Sequence, residues 1–307
     1  MKLAAPTRLS RADLLRLSLV LVPVGGLSLA ALIDGTATSL GAADGRWSAI
    51  DLSAYFDVVT RPGFWESYGF SLWIALAGTT IAAIGAALLG FVWARRAGQT
   101  GRLSLSILQY NLGVPHLVWA VALLAVLSPS GWIARLTAWA GLIDRPDQFP
   151  LLVNDRLGLG IILHLVTKEV PFLLLASLPL TGPRLRTALG QAATLGASPR
   201  AQLRHVYLPG VAPVFVPALI AVFAYALGAY EPAAVLGVQQ PRTLSVVAVE
   251  WFRNPDLEFR EQAFALSTIL LATITFASAA LLLATRHWWA HGIRQRQRRR
   301  PVTPVNA

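Results

Sequence analysis

The sequence predicts an all-α fold, a polytopic membrane bundle of six transmembrane helices. Three observations carry the prediction. The chain is 55% hydrophobic and only 13% charged, with a mean hydropathy of +0.57, whereas soluble domains carry about 25% charge. Six continuous apolar runs reach the roughly 20 residues needed to cross ~30 Å of hydrocarbon. The segments between those runs alternate between a basic and an acidic character.

The runs are Leu14 to Ile33, Phe70 to Ala94, Ile107 to Leu127, Leu157 to Leu180, Val211 to Leu236 and Ala263 to Thr285. Barrel strands would alternate over about ten residues, so continuous apolarity excludes them. Residues 1–307 are organised as a single transmembrane domain. The first run has a second reading. It follows a basic segment and ends near Ser28-Leu29-Ala30, the pattern of a cleaved signal peptide. Cleavage would leave five spans and place the new N-terminus outside. On either reading the polar stretch from Asp34 to Gly69 faces outward.

Lys and Arg set the orientation. One side holds 17 of the 26 basic residues. They are Lys2, Arg8, Arg11 and Arg16 at the N-terminus, Arg95, Arg96 and Arg102 after the second run, Arg184, Arg186, Arg200 and Arg204 after the fourth, and six arginines from Arg286 to Arg300. The opposite side holds 8 basic residues, and Lys168 lies inside the fourth run. Of the 15 acidic residues, 12 lie opposite and only Asp13 lies on the basic side. The positive-inside rule makes the basic side cytoplasmic, and both termini with it. The net charge of +11 is then a topology signal and not a nucleic-acid footprint. The tail RQRQRRR reads as an anchor at anionic membrane lipid. Cysteine is absent, which excludes a disulfide framework and a thiolate metal site.

The long cytoplasmic loop, 181–210, is the most informative segment. Leu185, Leu189 and Ala192 recur at helical spacing and predict a short helix. Gly196 ends it, because glycine accepts the positive φ common just past a helix. Ser198-Pro199 is a start signal, with a Ser N-cap and Pro at the first helical position. A second short helix follows, with Leu203, Val206 and Tyr207 apolar and Arg200 and Arg204 polar; Leu208-Pro209 ends it. The physical chemistry alone describes an amphipathic connector resting on headgroups. It does not say what docks there.

The segment TALGQAATLGASPRAQLRHVYLP, 187–209, resembles the cytoplasmic EAA motif of permease subunits from binding-protein-dependent ABC importers. That motif runs Glu-Ala-Ala, three residues, Gly, a long gap, then Leu-Pro. Gly196 falls on the motif glycine, Ala197-Ser198-Pro199 on the common Ala-Ser-Pro, and Leu208-Pro209 on the terminal pair. FAYALGAYEPAAVLG, from Phe223 to Gly237, resembles the fifth span of the spermidine/putrescine, sulfate, thiamine and iron type group. The resemblance is specific from about Pro171 to Leu283. Gly190 and Gln191 depart from it, standing where the family has Glu and Ala; only Ala192 keeps the triplet.

The resemblance implies the type I importer permease fold in a bacterial inner membrane. It implies that Gly190 to Gly196 forms a coupling helix seated on a cytoplasmic ATPase. The expected partners are two ATPase copies, a second permease subunit (a different chain more than a second copy), and an extracytoplasmic binding protein. The last would meet the loops around Asp144 to Asp155 and Arg242 to Glu261. ATP would sit on the partner, so this chain is expected to bind no cofactor and catalyse no reaction. Its sequence agrees, having no G-x-x-x-x-G-K-[ST] phosphate loop, no H-E-x-x-H and no G-x-S-x-G.

Three charges lie within the runs. Lys168 and Glu169 are in the fourth, and Glu231 is near the outer end of the fifth, before Pro232. Such charges cost a few kcal/mol and mark either a pair or a solute path. His164 and Lys168 share a helix face, while Glu169 sits about 100° around. Two readings stay open. Lys168 pairs with Glu169 or Glu231 and holds the bundle, or His164, Lys168, Glu169 and Glu231 line a translocation path. His116, beside Pro115, reads as a hydrogen-bonded packing residue. Pro171, Pro213, Pro217 and Pro232 mark kinks. Pro129 to Gly141, with Trp132 and Trp139, reads as an outer interfacial helix.

The expected function is that of a permease subunit for a small polar solute. The outer loops carry a net charge of −4 from their 8 basic and 12 acidic residues, which points to a polyamine- or thiamine-like cation; sulfate, phosphonate and iron stay open. The alternative is a secondary transporter or channel with no ATPase. That would call for more intramembrane acids or an inverted repeat, and no repeat is evident.

Overall fold

A computed structural model describes residues 11–42, 50–96, 102–256 and 258–297. Lys2, Arg8, Arg46 and Arg298 to Arg300 lie outside the described residues. The apolar runs fold as helices because a helix satisfies its own backbone polar groups, which hydrocarbon cannot do. No strand occurs among the described residues. In chain order the helices are α1 (Arg11–Ser39), α2 (Ser53–Thr60), α3 (Phe64–Arg95), α4 (Arg102–Gly113), α5 (His116–Leu127), α6 (Trp132–Trp139), α7 (Leu159–Ser177), α8 (Pro183–Thr194), α9 (Pro199–Gln202), α10 (Leu208–Gly228), α11 (Glu231–Leu236), α12 (Leu244–Phe252) and α13 (Glu258–Gln297).

Six helical stretches are long and apolar enough to cross a membrane: Leu21–Ser39, Phe64–Arg95, His116–Trp139, Leu159–Leu180, Pro199–Gly228 and Glu258–Arg286. They match the expected six in number and order, with shifted edges; the third runs from His116 to Trp139, so Ile107 to Gly113 falls outside it and most of the stretch expected as an outer interfacial helix falls within it. Two local expectations are corrected. The fifth run is not one helix to Leu236. It breaks at Ala229, whose ψ of 112° is extended, and restarts as α11. Ser245 Oγ donates to the Ala229 carbonyl at 2.9 Å, so the break leaves that group paired. Nor does Leu208-Pro209 end a helix. A π-helical turn over Leu203–Tyr207 leads directly into α10, with Pro209 in its first turn. The Leu208 N–H donates to Leu203 O, five residues back, and Pro209 follows in the first turn of α10, where its missing amide is tolerated.

The chain divides into two compact units, Met1–Arg61 with Ala248–Ile269, and Pro62–Val247 with Leu270–Ala307. In the first, Leu21 to Ala30 of α1 is exposed throughout, as suits a helix facing lipid or another apolar helix. Ser39 Oγ and Tyr55 OH are hydrogen-bonded at 2.7 Å. The Arg61 guanidinium lies over the rings of Trp251 and Phe259, at 4.8 and 5.0 Å from their centroids.

In the second unit, α3 and α7 pack through small residues. Ala75, Gly78, Ala82, Ala86 and Gly90 are buried about one turn apart on α3. A Cβ on Gly78 would collide with Leu165, and one on Gly90 with the Tyr207 hydroxyl and Leu174. Without a hydrophobic drive between helices in lipid, such close approach supplies the packing energy. At one end of this unit Ala86, Phe91, Leu174, Leu189, Tyr207 and Val211 share one core. Leu189 thereby seats α8 on the bundle, and Tyr207 seats the π turn.

Candidate functional site: a surface turn and a broken span

The first region runs from α8 to α10. Gly196 ends α8 at φ +79°. Its N–H donates to Ala193 O at 3.0 Å, and the Ala197 N–H donates to Ala192 O at 2.9 Å. These are the paired bonds of a Schellman end, which requires the left-handed conformation at Gly196. Ser198 is extended (φ −62°, ψ 156°), and its hydroxyl accepts from the Ala201 N–H at 3.3 Å. Gln202 Nε2 returns a bond to Ala197 O at 2.7 Å. The turn is therefore rigid through local bonds alone.

Gly190, Gln191, Gly196 and Ser198 are exposed; Ala192, Ala197, Leu208 and Pro209 are half-buried. Arg184, Arg200 and Arg204 are exposed around them. Leu195, at the tip, is 86% exposed, and residue patterning did not single it out. It sits off the Leu185–Leu189–Ala192 stripe, directly before the turn glycine. That placement was the available signal.

The second region lies within the bundle. Val114-Pro115 separates α4 from α5. One face of α7 grips both halves. His164 Nε2 and His116 Nδ1 are 3.1 Å apart. The Trp119 indole N–H donates to Thr167 Oγ1 at 2.8 Å. Lys168 Nζ donates to Asn111 O at 2.5 Å and to Val114 O at 2.7 Å. His164 is fully buried, Lys168 is 2% exposed and Glu169 is buried. Among the described residues no ion pair joins Lys168 to Glu169 or Glu231, so the pairing that was one of the two open readings is not formed. His116 is hydrogen-bonded, as expected.

Beside this cluster is a cavity of about 410 Å³, lined by His116, Ala224, Tyr225, Gly228, Ala229, Tyr230 and Glu231. It opens where α10 breaks. The His116 and Tyr225 rings are 4.6 Å apart. Of the four charged or ionisable residues expected on a path, Glu231 lines this cavity; His164, Lys168 and Glu169 do not. Among the described residues no three His, Cys, Asp or Glu side chains are grouped to hold a metal.

No family model matches the chain. The chain is 30% identical over 241 residues to the inner membrane ABC transporter permease protein YnjC of Escherichia coli (strain K12), covering 76% of this chain and 45% of that protein. It is 24% identical over 217 residues to the probable sulfate transport system permease protein cysT of Marchantia polymorpha, covering 70% of this chain and 72% of that one. The chain thus spans less than half the length of YnjC. In fold it resembles a chain in the crystal structure of a bacterial ABC transporter involved in the import of the acidic polysaccharide alginate, with a TM-score of 0.62 at 16% identity, over 90% of this chain and 95% of that one. The chain is a multi-pass membrane protein with the ABC importer permease fold, homologous to ABC transporter permeases.

Proposed function

We propose that this chain is a transmembrane subunit of an ATP-driven importer that moves a small polar solute delivered by an extracytoplasmic binding protein. The observation that carries the proposal is the rigid, exposed turn around Gly196, seated on the bundle core through Leu189 and Tyr207. Such a turn can pass a push from a docked ATPase into α3, α7 and α10. The face bearing it is then cytoplasmic, with both termini, as the positive-inside count supports. Two ATPase copies hold the ATP, and a second, different permease chain completes the pathway. The solute passes the cavity at Glu231, and alternating access switches that cavity between the two sides. The acidic outer loops support a polyamine- or thiamine-like cation as cargo.

The test is co-purification from detergent-solubilised membranes, wild type against Gly196→Val. A β-branched residue is strained at φ +79°, while no neighbour within 4 Å would clash with its Cβ. An ATPase should accompany the wild type and be lost from the variant, with the chain still inserted. If no ATPase accompanies the wild type, the stand-alone transporter replaces this reading.

A further inference from the structure

Lys168 is the most deeply buried charged residue described, yet among the described residues it forms no ion pair, and it does not line the cavity. Its ammonium donates to two backbone carbonyls, Asn111 O and Val114 O, from 57 and 54 residues away in sequence. In an unbroken helix the Asn111 carbonyl would accept the amide of residue 115. Residue 115 is proline, which has no amide hydrogen. Its ψ of 146° is extended, so the carbonyl of Val114 is carried out of the helical ladder as well. A local bond from Val114 N–H to Asn111 O, at 3.3 Å, compensates only in part. Backbone oxygens packed against a neighbouring helix need a partner within the protein.

We infer that Lys168 is a positioning residue. It supplies the hydrogen that Pro115 cannot, and so pins the joint between α4 and α5. The charge fits the place, because a helix C-terminus carries partial negative charge and is stabilised by a cation. The neighbours on α7 fit it too. His164 and Thr167 hold the first turn of α5 through His116 and Trp119, while Lys168 holds the end of α4. Three residues on one face of α7 thus fix both halves of the broken helix. The consequence for transport is indirect, because His116 leaves the joint as the first residue of α5 and lines the cavity. Lys168 sets where that imidazole stands without touching the solute.

The inference yields a double-mutant test in the full chain, made in membranes and extracted in detergent. Lys168→Met keeps the length of the side chain and removes its hydrogens. It should lower the amount of monodisperse protein and shift its thermal midpoint down by more than about 4 °C. Pro115→Ala restores an amide at the position where the ammonium now donates. The double variant Pro115→Ala/Lys168→Met should therefore recover most of the shift, although the two positions lie 53 residues apart in sequence. Two results would overturn the inference. One is Lys168→Met at wild-type yield and midpoint, whatever its transport rate, because the ammonium would then be needed only for solute. The other is a double variant as unstable as Lys168→Met alone, because the missing amide would then not be what Lys168 replaces. Neither result depends on whether an ATPase partner exists.

Discussion

The surface turn at Gly196 and the broken span at Pro115 both interrupt helices, and they solve the interruption in opposite ways. At Gly196 the bonds that shape the turn all come from neighbours within five residues: Ala192 and Ala193 accept, Ser198 caps, and Gln202 closes back on Ala197. At Pro115 the orphan carbonyls are met by a lysine more than fifty residues away. The difference follows from the solvent. A turn that faces water needs only enough bonds to be rigid, since water satisfies the rest. A break packed between helices needs partners from within the protein, and here they come from the helix alongside. The first arrangement suits a handle to be gripped from outside. The second suits a joint held in place by the helix packed against it.

Three substitutions sharpen the contrast between a locally built handle and a tertiary anchor. Gly90→Val should have the largest effect, because a side chain there displaces the Tyr207 ring that ties the π turn to α3. A loss of about 3 kcal/mol is expected from overpacking, read as a lower thermal midpoint in detergent. A wild-type midpoint would mean that the handle is not anchored at Tyr207. Gly196→Val comes next. Its strain is about 1–2 kcal/mol per residue in the left-handed region, confined to the turn. The midpoint should barely move while stimulation of the ATPase falls, and an equal fall in both would show that the turn also supports the bundle. Ser198→Ala removes one cap at an exposed position. It should cost about 1 kcal/mol of local helix stability and show as faster amide exchange in α9, with transport within about twofold. Protection unchanged in α9 would indicate that Gln202, not Ser198, sets its start.

The same division decides what was legible beforehand. The helix end at Gly196 and the start at Ser198-Pro199 were readable because each signal lies within four residues of what it controls. The six spans were readable because length and apolarity suffice. The fate of Lys168 was not. Its spacing from His164 placed the two on one face, but the carbonyls it meets lie more than fifty residues away, and neither open reading, a carboxylate pair or a place on the path, included them. In the apolar run FAYALGAYEPAAVLG the sequence marked a kink at Pro232, but not that the helix ends at Ala229, three residues earlier. The passage of the π turn into α10 was missed because Leu-Pro reads as a terminator when each residue of a helix is expected to bond four back.

The absence of cysteine allows a single-site experiment on the handle. A Leu195→Cys variant would carry one thiol at the most exposed apolar position of the turn. A membrane-impermeant maleimide should label it in inside-out vesicles and not in intact cells, and a short bifunctional cross-linker should join it to a nucleotide-hydrolysing chain. Labelling from outside the intact cell would contradict the cytoplasmic handle. Labelling from inside, with no ATPase cross-linked under transport conditions, would contradict its coupling to ATP.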